Sequence, residues 1–409
     1  MKPLHHRLPT FMASNPRLAF FALGATAASG FGQTFFVSIF GADIRHAFDL
    51  SHTAYGSLYS AATLCSAFLL LRFGALVDTW TLPRITALAV FILAGGCVLI
   101  GFAPGVLILG LGFICIRFGG QGMISHVGMT TAARYFPAHR GRAVALAAMG
   151  FPLAEAVLPA AAAFLVVWSS WRLPWLAGAV FLCLLVLPAL AFLARNAPQP
   201  QELVGKNPAG SKSGPDRSRF NRREVLRDPG FYLILPATLF TPFAVTALFF
   251  HQTAFAAERG WSLEMLGAGF SFYALCHFGA LFAAGPLVDR LGAGKALPLA
   301  LLPIISGLLI LASVPGSTVL YIYLGLVGTT QGLAATAAGT IWAERYGVLH
   351  LGAIRSMNQS IMVVATSISP ILLGYFLDRD VTIAALALSL AVLAGLASLS
   401  ARMGAVIER

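Results

Sequence analysis

The sequence predicts an all-α polytopic membrane protein with twelve transmembrane helices in two six-helix bundles and both termini in the cytoplasm. Three observations lead to this prediction: an apolar composition, twelve long apolar runs, and a repeat that relates the two halves of the chain. Of the 409 residues, 58% are hydrophobic and 10% are charged, whereas a soluble domain carries about 25% charged residues. Most of the chain must therefore face lipid.

Twelve apolar runs are long enough to cross a bilayer, which requires about 20 residues of helix. They cover residues 18–41, 53–76, 83–103, 106–133, 143–166, 173–195, 231–256, 263–288, 296–314, 317–343, 352–376 and 382–401. The runs are continuous and rich in Ala and Leu, which favours helices over the alternating strands of a membrane barrel. The first run follows a basic stretch and is long enough to span, so we expect it to remain as the first helix.

The two halves of the chain repeat with an offset of 211 residues. Gly74-Ala75-Leu76-Val77-Asp78 returns as Gly285-Pro286-Leu287-Val288-Asp289, and Arg134-Tyr135 and Pro159 return as Arg345-Tyr346 and Pro370. We expect one bundle over residues 1–195, a basic cytoplasmic linker over 196–227, and a second bundle over 228–409. Two similar bundles around a midplane site are typical of secondary transporters.

Basic residues indicate the orientation of the chain in the membrane. Of the 27 Lys and Arg, 22 lie in the termini, the linker and alternate loops, which predicts cytoplasmic termini. We expect the protein to be integral to a bacterial cytoplasmic (inner) membrane. The net charge of +12 then reflects orientation beside the lipid bilayer, and we expect no nucleic-acid partner.

The sequence contains no pattern that predicts a cofactor, a metal site or an enzyme. The five cysteines are isolated within apolar runs, without the spacing of a metal site or a disulfide framework. Apart from the linker, the connections are too short for a catalytic or nucleotide-binding domain, and no Gly-Lys-Ser/Thr phosphate loop occurs. We therefore expect ion gradients to supply the energy.

The segment Gly285-Pro-Leu-Val-Asp289-Arg290-Leu-Gly292-Ala-Gly-Lys295 resembles the loop between the second and third helices of the major facilitator superfamily. The first-half copy keeps only part of this signature. The resemblance implies that the loop stabilises the outward-facing form through contacts made only in that state. We call the matching positions the latch residues: Gly74, Asp78, Arg84, Gly285, Asp289, Arg290 and Lys295. The other interpretation is that this loop only determines topology.

Two charged residues lie near the middle of the membrane. Arg117-Phe-Gly-Gly-Gln121-Gly122 is similar to a second signature of the superfamily, and Glu155 lies at a comparable depth in the next helix. An unpaired charge at this depth costs several kcal/mol, so we expect Arg117 and Glu155 to pair. Either Glu155 takes up a proton and releases Arg117 to hold an anionic substrate, or the pair is a permanent salt bridge.

Several uncharged polar residues also lie within the apolar runs, where each needs a partner. Substrate and another helix are both possible partners at every position. As substrate-binding candidates besides Arg117, we select Gln33, Gln121, His277 and Gln331 near the midplane, Tyr59 toward the external side, and Asn358 toward the cytoplasmic side.

The stretches Arg117–Gly122 and Arg134–Ala143, the latter with Gly150 and Pro159 downstream, are similar to the superfamily branch of monocarboxylate porters and oxalate/formate exchangers. The helix-eight aspartate and arginine of many such porters are replaced by His277 and Leu281. We expect a carrier of a small organic anion that works by alternating access, is coupled to protons and acts as a monomer. The alternative is a proton-driven exporter of hydrophobic or cationic compounds, with a cavity lined by rings such as Phe31 and Phe249.

Overall fold

The computed structural model describes residues 15–136, 139–198, 222–347 and 351–406. Regular structure in these ranges is helical throughout. Most of the predicted basic linker, residues 196–227, lies outside the described residues.

Twelve predicted spans correspond to twelve helical segments, which we number α1 to α12 in chain order. α1 is a bent pair, Pro16–Gly32 and Thr34–Ala47, whose parts meet at 41°. The others are α2 His52–Thr79, α3 Leu82–Gly101, α4 Val106–Tyr135, α5 Arg142–Trp168, α6 Leu173–Ala194, α7 Pro229–Phe250, α8 Leu263–Leu291, α9 Ala293–Ser313, α10 Thr318–Tyr346, α11 Leu351–Leu377 and α12 Ile383–Val406. Eleven of these are long and apolar enough to cross a membrane singly, and α1 makes up to twelve. The predicted all-α polytopic membrane fold is confirmed, and the cytoplasmic location of both termini stays a prediction.

The two halves begin with equivalent helix starts. Asn15 accepts a hydrogen bond from the Leu18 N–H at 3.3 Å, with Pro16 at the first helical position of α1. Asp228 accepts one from the Gly230 N–H at 2.9 Å, with Pro229 at the first position of α7. Both follow the preference for a short polar cap followed by proline. The repeat therefore has a neutral cap in its first copy and a carboxylate in its second.

Three helices that the sequence predicts to be regular are irregular near their middle; one of them is α6, which is π-helical over Leu182–Val186. α1 narrows into a 3₁₀ turn over Ser29–Gly32, and Gln33 is extended with φ −90° and ψ 156°. α4 widens into a π-helix over Arg117–Ile124. Such interruptions need a local cause and are often found at functional sites.

Glycines allow the irregular segments of α1 and α4 to touch through their backbones. A Cβ added to Gly32 would lie 2.1 Å from the carbonyl oxygen of Ile116, and one added to Gly120 would lie 2.8 Å from the Gly32 Cα. Neither distance is possible for a real side chain. The glycine-rich segments of α1 and α4 are thus required for packing.

The described residues divide into two compact units. The first unit holds residues 15–36, 65–136, 139–154 and 169–198. The second holds residues 37–64, 155–168, 222–347 and 351–406. The second unit therefore combines α7 to α12 with one end each of α1, α2 and α5. The division into bundles at residues 195 and 228 stays a prediction, since the compact units do not follow the chain at these three helices.

Candidate transport site and gating contacts

Glu155 on α5 and His277 on α8 form a buried pair within the second unit. His277 Nδ1 lies 2.8 Å from Glu155 Oε2, and 8% of each side chain is exposed. Glu155 is the only carboxylate among the residues that the structure describes as buried. A hydrogen bond at this distance requires a proton on one of the two groups. With that proton alone the pair carries a charge of −1, and uptake of a second proton cancels this charge.

Close packing of α5 against α8 sets the position of the pair. Ser271 Oγ donates to the carbonyl oxygen of Ala156 at 2.6 Å, and a Cβ on Gly267 would lie 2.9 Å from the Ala160 Cα. The two helices therefore touch over more than two turns of α8, counted from Gly267 to His277. We refer to this interface as the α5–α8 contact.

Glu155 and Arg117 belong to different units, and the expected pairing of these two residues stays a prediction. Glu155 pairs with His277, and a guanidinium N–H of Arg117 donates to the carbonyl oxygen of Gly32 at 3.1 Å. The sequence reasoning compared only helices of the same half of the chain. The packing of α5 against α8 joins residues from different halves.

Arg117 lies in the first unit and is 2% exposed. Its partner, Gly32, is the last residue of the first segment of α1. The final carbonyl groups of a helix lack intrahelical donors and carry partial negative charge. The guanidinium therefore stabilises the break in α1. The sequence Gly30-Phe-Gly32-Gln33 was the available signal for that break.

A second contact in the second unit joins α2 to α11. The backbone N–H groups of His52 and Thr53 donate to the two oxygens of Asp378, each at 2.8 Å. Added Cβ atoms on Gly56 and Gly374 would each lie 2.6 Å from a backbone oxygen of the other helix. Asp378, which the sequence analysis missed, thus caps the start of α2 from the other half of the chain. We call this interface the α2–α11 contact.

The hydrogen bonds to Asp378 stabilise its charged form. Burial alone would raise the pKa of this carboxyl, but hydrogen bonds from Thr53, His52 and Ser51 outweigh it and lower the pKa to about 2. Nearby, His251 Nε2 lies 2.8 Å from the carbonyl oxygen of Pro370. Burial lowers the pKa of His251 to about 3, so its imidazole is neutral at physiological pH.

The predicted substrate-binding residues do not all have the same surroundings. Tyr59 is buried, and its ring centroid lies 4.5 Å from that of Phe250, so it packs against the end of α7. Gln33 is half-buried at the break in α1, and Gln121 is exposed on the π-helical segment. Both belong to the first unit. Gln331 and Asn358 come together in one pocket of the second unit.

This pocket has a volume of about 370 Å³ and lies between α7, α10 and α11. We call it the α7–α10–α11 pocket. Its lining includes Arg355 and Trp342 besides the two predicted residues. Thr238 Oγ1 donates to the carbonyl oxygen of Leu235 at 2.8 Å and lies 3.3 Å from Asn358 Oδ1. The pocket contains no carboxylate among its lining residues.

Comparison with known families decides the class of the protein. The model of the Major Facilitator Superfamily matches residues 22–275, which is more than half of the chain. The protein is a member of the major facilitator superfamily. It is therefore a transporter that binds small-molecule substrates within the membrane, and not an enzyme. No curated protein sequence matched the chain.

Solved structures with the same fold include a bacterial homolog to the human lysosomal transporter Spinster. Its inward-facing, unoccupied form has a TM-score of 0.66 at 15% identity, covering 96% of this chain and 94% of that one. The inward-facing, occupied form has a TM-score of 0.66 at 14% identity, covering 98% and 95%. At these identities the likeness establishes the fold alone. The resemblance to monocarboxylate porters stays a prediction.

The latch residues of this superfamily member differ between its halves. In the first half, Asp78 forms an ion pair with Arg134, which also donates to the carbonyl oxygen of Val77 at 2.9 Å. In the second half, the equivalent Arg345 instead pairs with Asp228, with Nε–Oδ2 at 2.9 Å. The difference follows from the helix caps, because the carboxylate Asp228 competes for arginine whereas Asn15 cannot.

Because Arg345 pairs with Asp228, the latch carboxylate of the second half remains available for other contacts. Asp289 is exposed and has no ion-pair or hydrogen-bond partner among the described residues. Arg290 and Lys295 are exposed beside it, at the junction of α8 and α9, while Arg84 is exposed at the start of α3. Gly74 interrupts α2, and Gly285 lies within α8, where an added Cβ would meet nothing within 4 Å. The latch role of these residues stays a prediction.

Proposed function

We propose that the protein carries a small organic anion together with a proton by alternating access, and that the Glu155–His277 pair is the proton-coupling site. The observation that carries this proposal is the buried pair itself, with 2.8 Å between Nδ1 and Oε2. A buried carboxylate in a transmembrane segment is costly and commonly serves a proton or ion pathway.

The position of the pair links its protonation to conformation. Glu155 and His277 come from different halves of the chain, and they meet only while the α5–α8 contact is closed. When that contact opens, each group loses its partner. Proton uptake by Glu155 then removes the charge that the separated carboxylate would otherwise carry. Because the open and closed states hold the proton with different affinity, protonation shifts their equilibrium.

Charge balance supports an anion as the co-substrate. One proton compensates one negative charge, so a monoanion crosses with its proton without net charge movement. Arg117 adds a fixed buried positive charge in the first unit, where Gln33 and Gln121 are further candidate contacts. In the second unit Gln331, Asn358, His277 and Tyr59 are the candidates.

The latch residues complete the proposed cycle. Asp289 has no partner while the α5–α8 and α2–α11 contacts are formed, which supports its use in the opposite state. That state would be outward-facing, in a protein with cytoplasmic termini in a bacterial inner membrane. The substrate site lies within one chain, and we propose a monomeric carrier.

The export of hydrophobic or cationic compounds receives less support. That alternative relied on rings lining a cavity. Of these rings Phe272 is exposed, whereas Phe31, Phe35, Phe36 and Phe249 are buried. Phe31 and Phe36 pack edge-to-face at 5.1 Å, and Phe36 packs on Trp175 at 5.0 Å. These rings contribute to packing in the described structure.

Reconstituted protein in liposomes tests the proposal. An inwardly directed proton gradient, with the outside more acidic, should drive accumulation of a radiolabelled carboxylate. Collapsing this gradient with a protonophore should abolish the accumulation. A potential imposed with valinomycin and potassium at constant pH should have no effect, because the coupled step moves no net charge. Accumulation of a lipophilic cation instead of carboxylates would overturn the anion proposal.

A further inference from the structure

Two arginines of the first unit lie over one aromatic ring. The guanidinium carbon of Arg195 is 4.7 Å from the centroid of the Phe192 ring, and that of Arg17 is 5.5 Å from the same centroid. The two guanidinium carbons are therefore at most about 10 Å apart, close to the screening length of physiological salt, and the two charges repel each other. We call Arg17, Phe192 and Arg195 the Phe192 cluster. We propose that this cluster binds the phosphate of an anionic phospholipid.

The packing of α1 against α6 places the cluster at the membrane boundary. Arg17 lies in the first turn of α1, and Arg195 directly follows Ala194, the last residue of α6. The two helices are in close contact, because a Cβ added to Gly24 would lie 3.2 Å from Leu190 Cδ2. Both guanidinium groups therefore lie where two apolar spans end, at the depth of the lipid headgroups.

The first unit supplies no carboxylate that could neutralise these arginines. Asp78 is the only carboxylate among the described residues of this unit, and it pairs with Arg134. Within the described part of the chain, Arg17 and Arg195 have no hydrogen-bond or ion-pair partner. Each guanidinium therefore keeps its five N–H donors for a ligand. Phosphate oxygens match a guanidinium in both geometry and charge.

The exposed apolar surface beside the arginines favours a lipid over a free anion. Phe192 is 52% exposed, and Leu185 on α6 and Phe20 on α1 are exposed as well. A smaller share of α6 is buried than of any other single span that the structure describes. In a bilayer, acyl chains cover this surface and hold the phosphate of the same lipid beside the two guanidinium groups. A free phosphate has no such anchor.

The charge of the cluster distinguishes between phospholipids. Phosphatidylglycerol carries a net negative charge, whereas the phosphate of phosphatidylcholine is neutralised by the ammonium group of the same headgroup. Two arginines without a carboxylate partner therefore select phosphatidylglycerol. With the predicted cytoplasmic termini, the cluster faces the leaflet whose anionic lipids attract basic residues.

Native mass spectrometry of the full-length protein in detergent tests the proposal. A basic residue near anionic lipid contributes about 1 kcal/mol, which is about fivefold in affinity. One molecule of phosphatidylglycerol should therefore bind about 25-fold more tightly than phosphatidylcholine, since two arginines contribute. Glycerophosphoglycerol, the same headgroup without acyl chains, should not bind at the same concentrations.

Substitutions locate the bound lipid. Arg17→Gln and Arg195→Gln should each weaken binding of the tightest phosphatidylglycerol about fivefold, and the double glutamine variant about 25-fold. Replacing both arginines by lysine keeps the charges and should keep the preference for phosphatidylglycerol. Arg72→Gln is the matched control, because Arg72 is a single exposed arginine of the same unit, 5.5 Å from the centroid of the Phe73 ring. It should bind the lipid as wild type does.

Thermal unfolding provides an independent measurement. Phosphatidylglycerol should raise the melting temperature of the wild type by mass action, and it should raise that of the double glutamine variant much less. Without added lipid the two proteins should melt at the same temperature, because both side chains are exposed.

Three results would overturn the proposal. The first is equal affinity of the wild type and the double glutamine variant for phosphatidylglycerol. The second is equal affinity of the wild type for phosphatidylglycerol and phosphatidylcholine. The third is binding of glycerophosphoglycerol as tight as that of the lipid, which would assign the cluster to a free phosphate compound.

Discussion

Replacing Glu155 by Gln should uncouple transport from the proton gradient without abolishing transport. Gln has nearly the same shape as Glu, and its carbonyl can still accept a hydrogen bond from His277 Nδ1. It cannot take up a proton or carry a negative charge. The substitution therefore removes the titratable group and keeps the α5–α8 contact.

The size of the effect follows from the geometry of the pair. A hydrogen bond to a charged group contributes about 1.5–3 kcal/mol, and a neutral one about 0.5–1.5 kcal/mol. Since only 8% of each side chain is exposed, solvent screening reduces this difference little. The closed contact should lose about 1–2 kcal/mol, which changes the ratio of closed to open protein about 5–30-fold.

Two liposome assays read out the change. Accumulation of a labelled carboxylate under an inward pH gradient should fall to the level of protonophore-treated vesicles, while exchange of internal for external substrate should continue. Glu264→Gln is the matched control, because Glu264 is an exposed carboxylate at the start of α8. It should accumulate substrate as wild type does.

Two results would refute this reasoning. Normal accumulation by Glu155→Gln would show that the pair does not couple protons. Equal loss of accumulation and exchange in a folded variant would make the pair a structural salt bridge.

Three further predictions concern the latch and the α2–α11 contact. Asp289→Asn should increase labelling of a cytoplasmic-side cysteine by a thiol reagent severalfold. Asp78→Asn should increase it less, because Asp78 is already paired with Arg134. Equal effects of the two substitutions would contradict the difference between the halves. Asp378→Asn should lower the stability of the α2–α11 contact by about 1 kcal/mol, a modest value because the carboxylate is exposed. It should also increase labelling of a cysteine by a thiol reagent added from the external side. Unchanged labelling would contradict this prediction. The pKa of His251 in the folded protein, about 3, lies below the ordinary value of about 6.5. The free energy of unfolding therefore decreases as the pH falls below 6.5, by up to about 2 kcal/mol at pH 5. The melting temperature of the wild type should therefore fall between pH 7 and pH 5, and that of His251→Gln should fall less. Asp378, with its pKa of about 2, should contribute no pH dependence in this range. If His251→Gln leaves the change of melting temperature with pH unaltered, the assignment is contradicted.

The sequence predicted the class of this protein because membrane physics leaves little choice. A bilayer requires about 20 apolar residues per helix and satisfied backbone groups, so composition and run length alone identify twelve spans. The repeat from Gly74–Asp78 to Gly285–Asp289 relates the two halves without any knowledge of their packing. Family membership confirmed the transporter prediction.

Tertiary structure alone decided the partners of the charged residues. Arg117 donates to the carbonyl oxygen of Gly32 at the end of a helical segment, and Glu155 pairs with a histidine 122 residues away in the sequence. Likewise, Arg134 and Arg345 are equivalent in sequence but pair differently, because Asn15 and Asp228 differ in charge. Hydropathy specifies how deep a residue lies in the membrane. It does not specify which neighbouring helix the side chain meets, since that depends on glycine contacts such as Gly32 with Ile116 and Gly267 with Ala160, which form only when the helices pack.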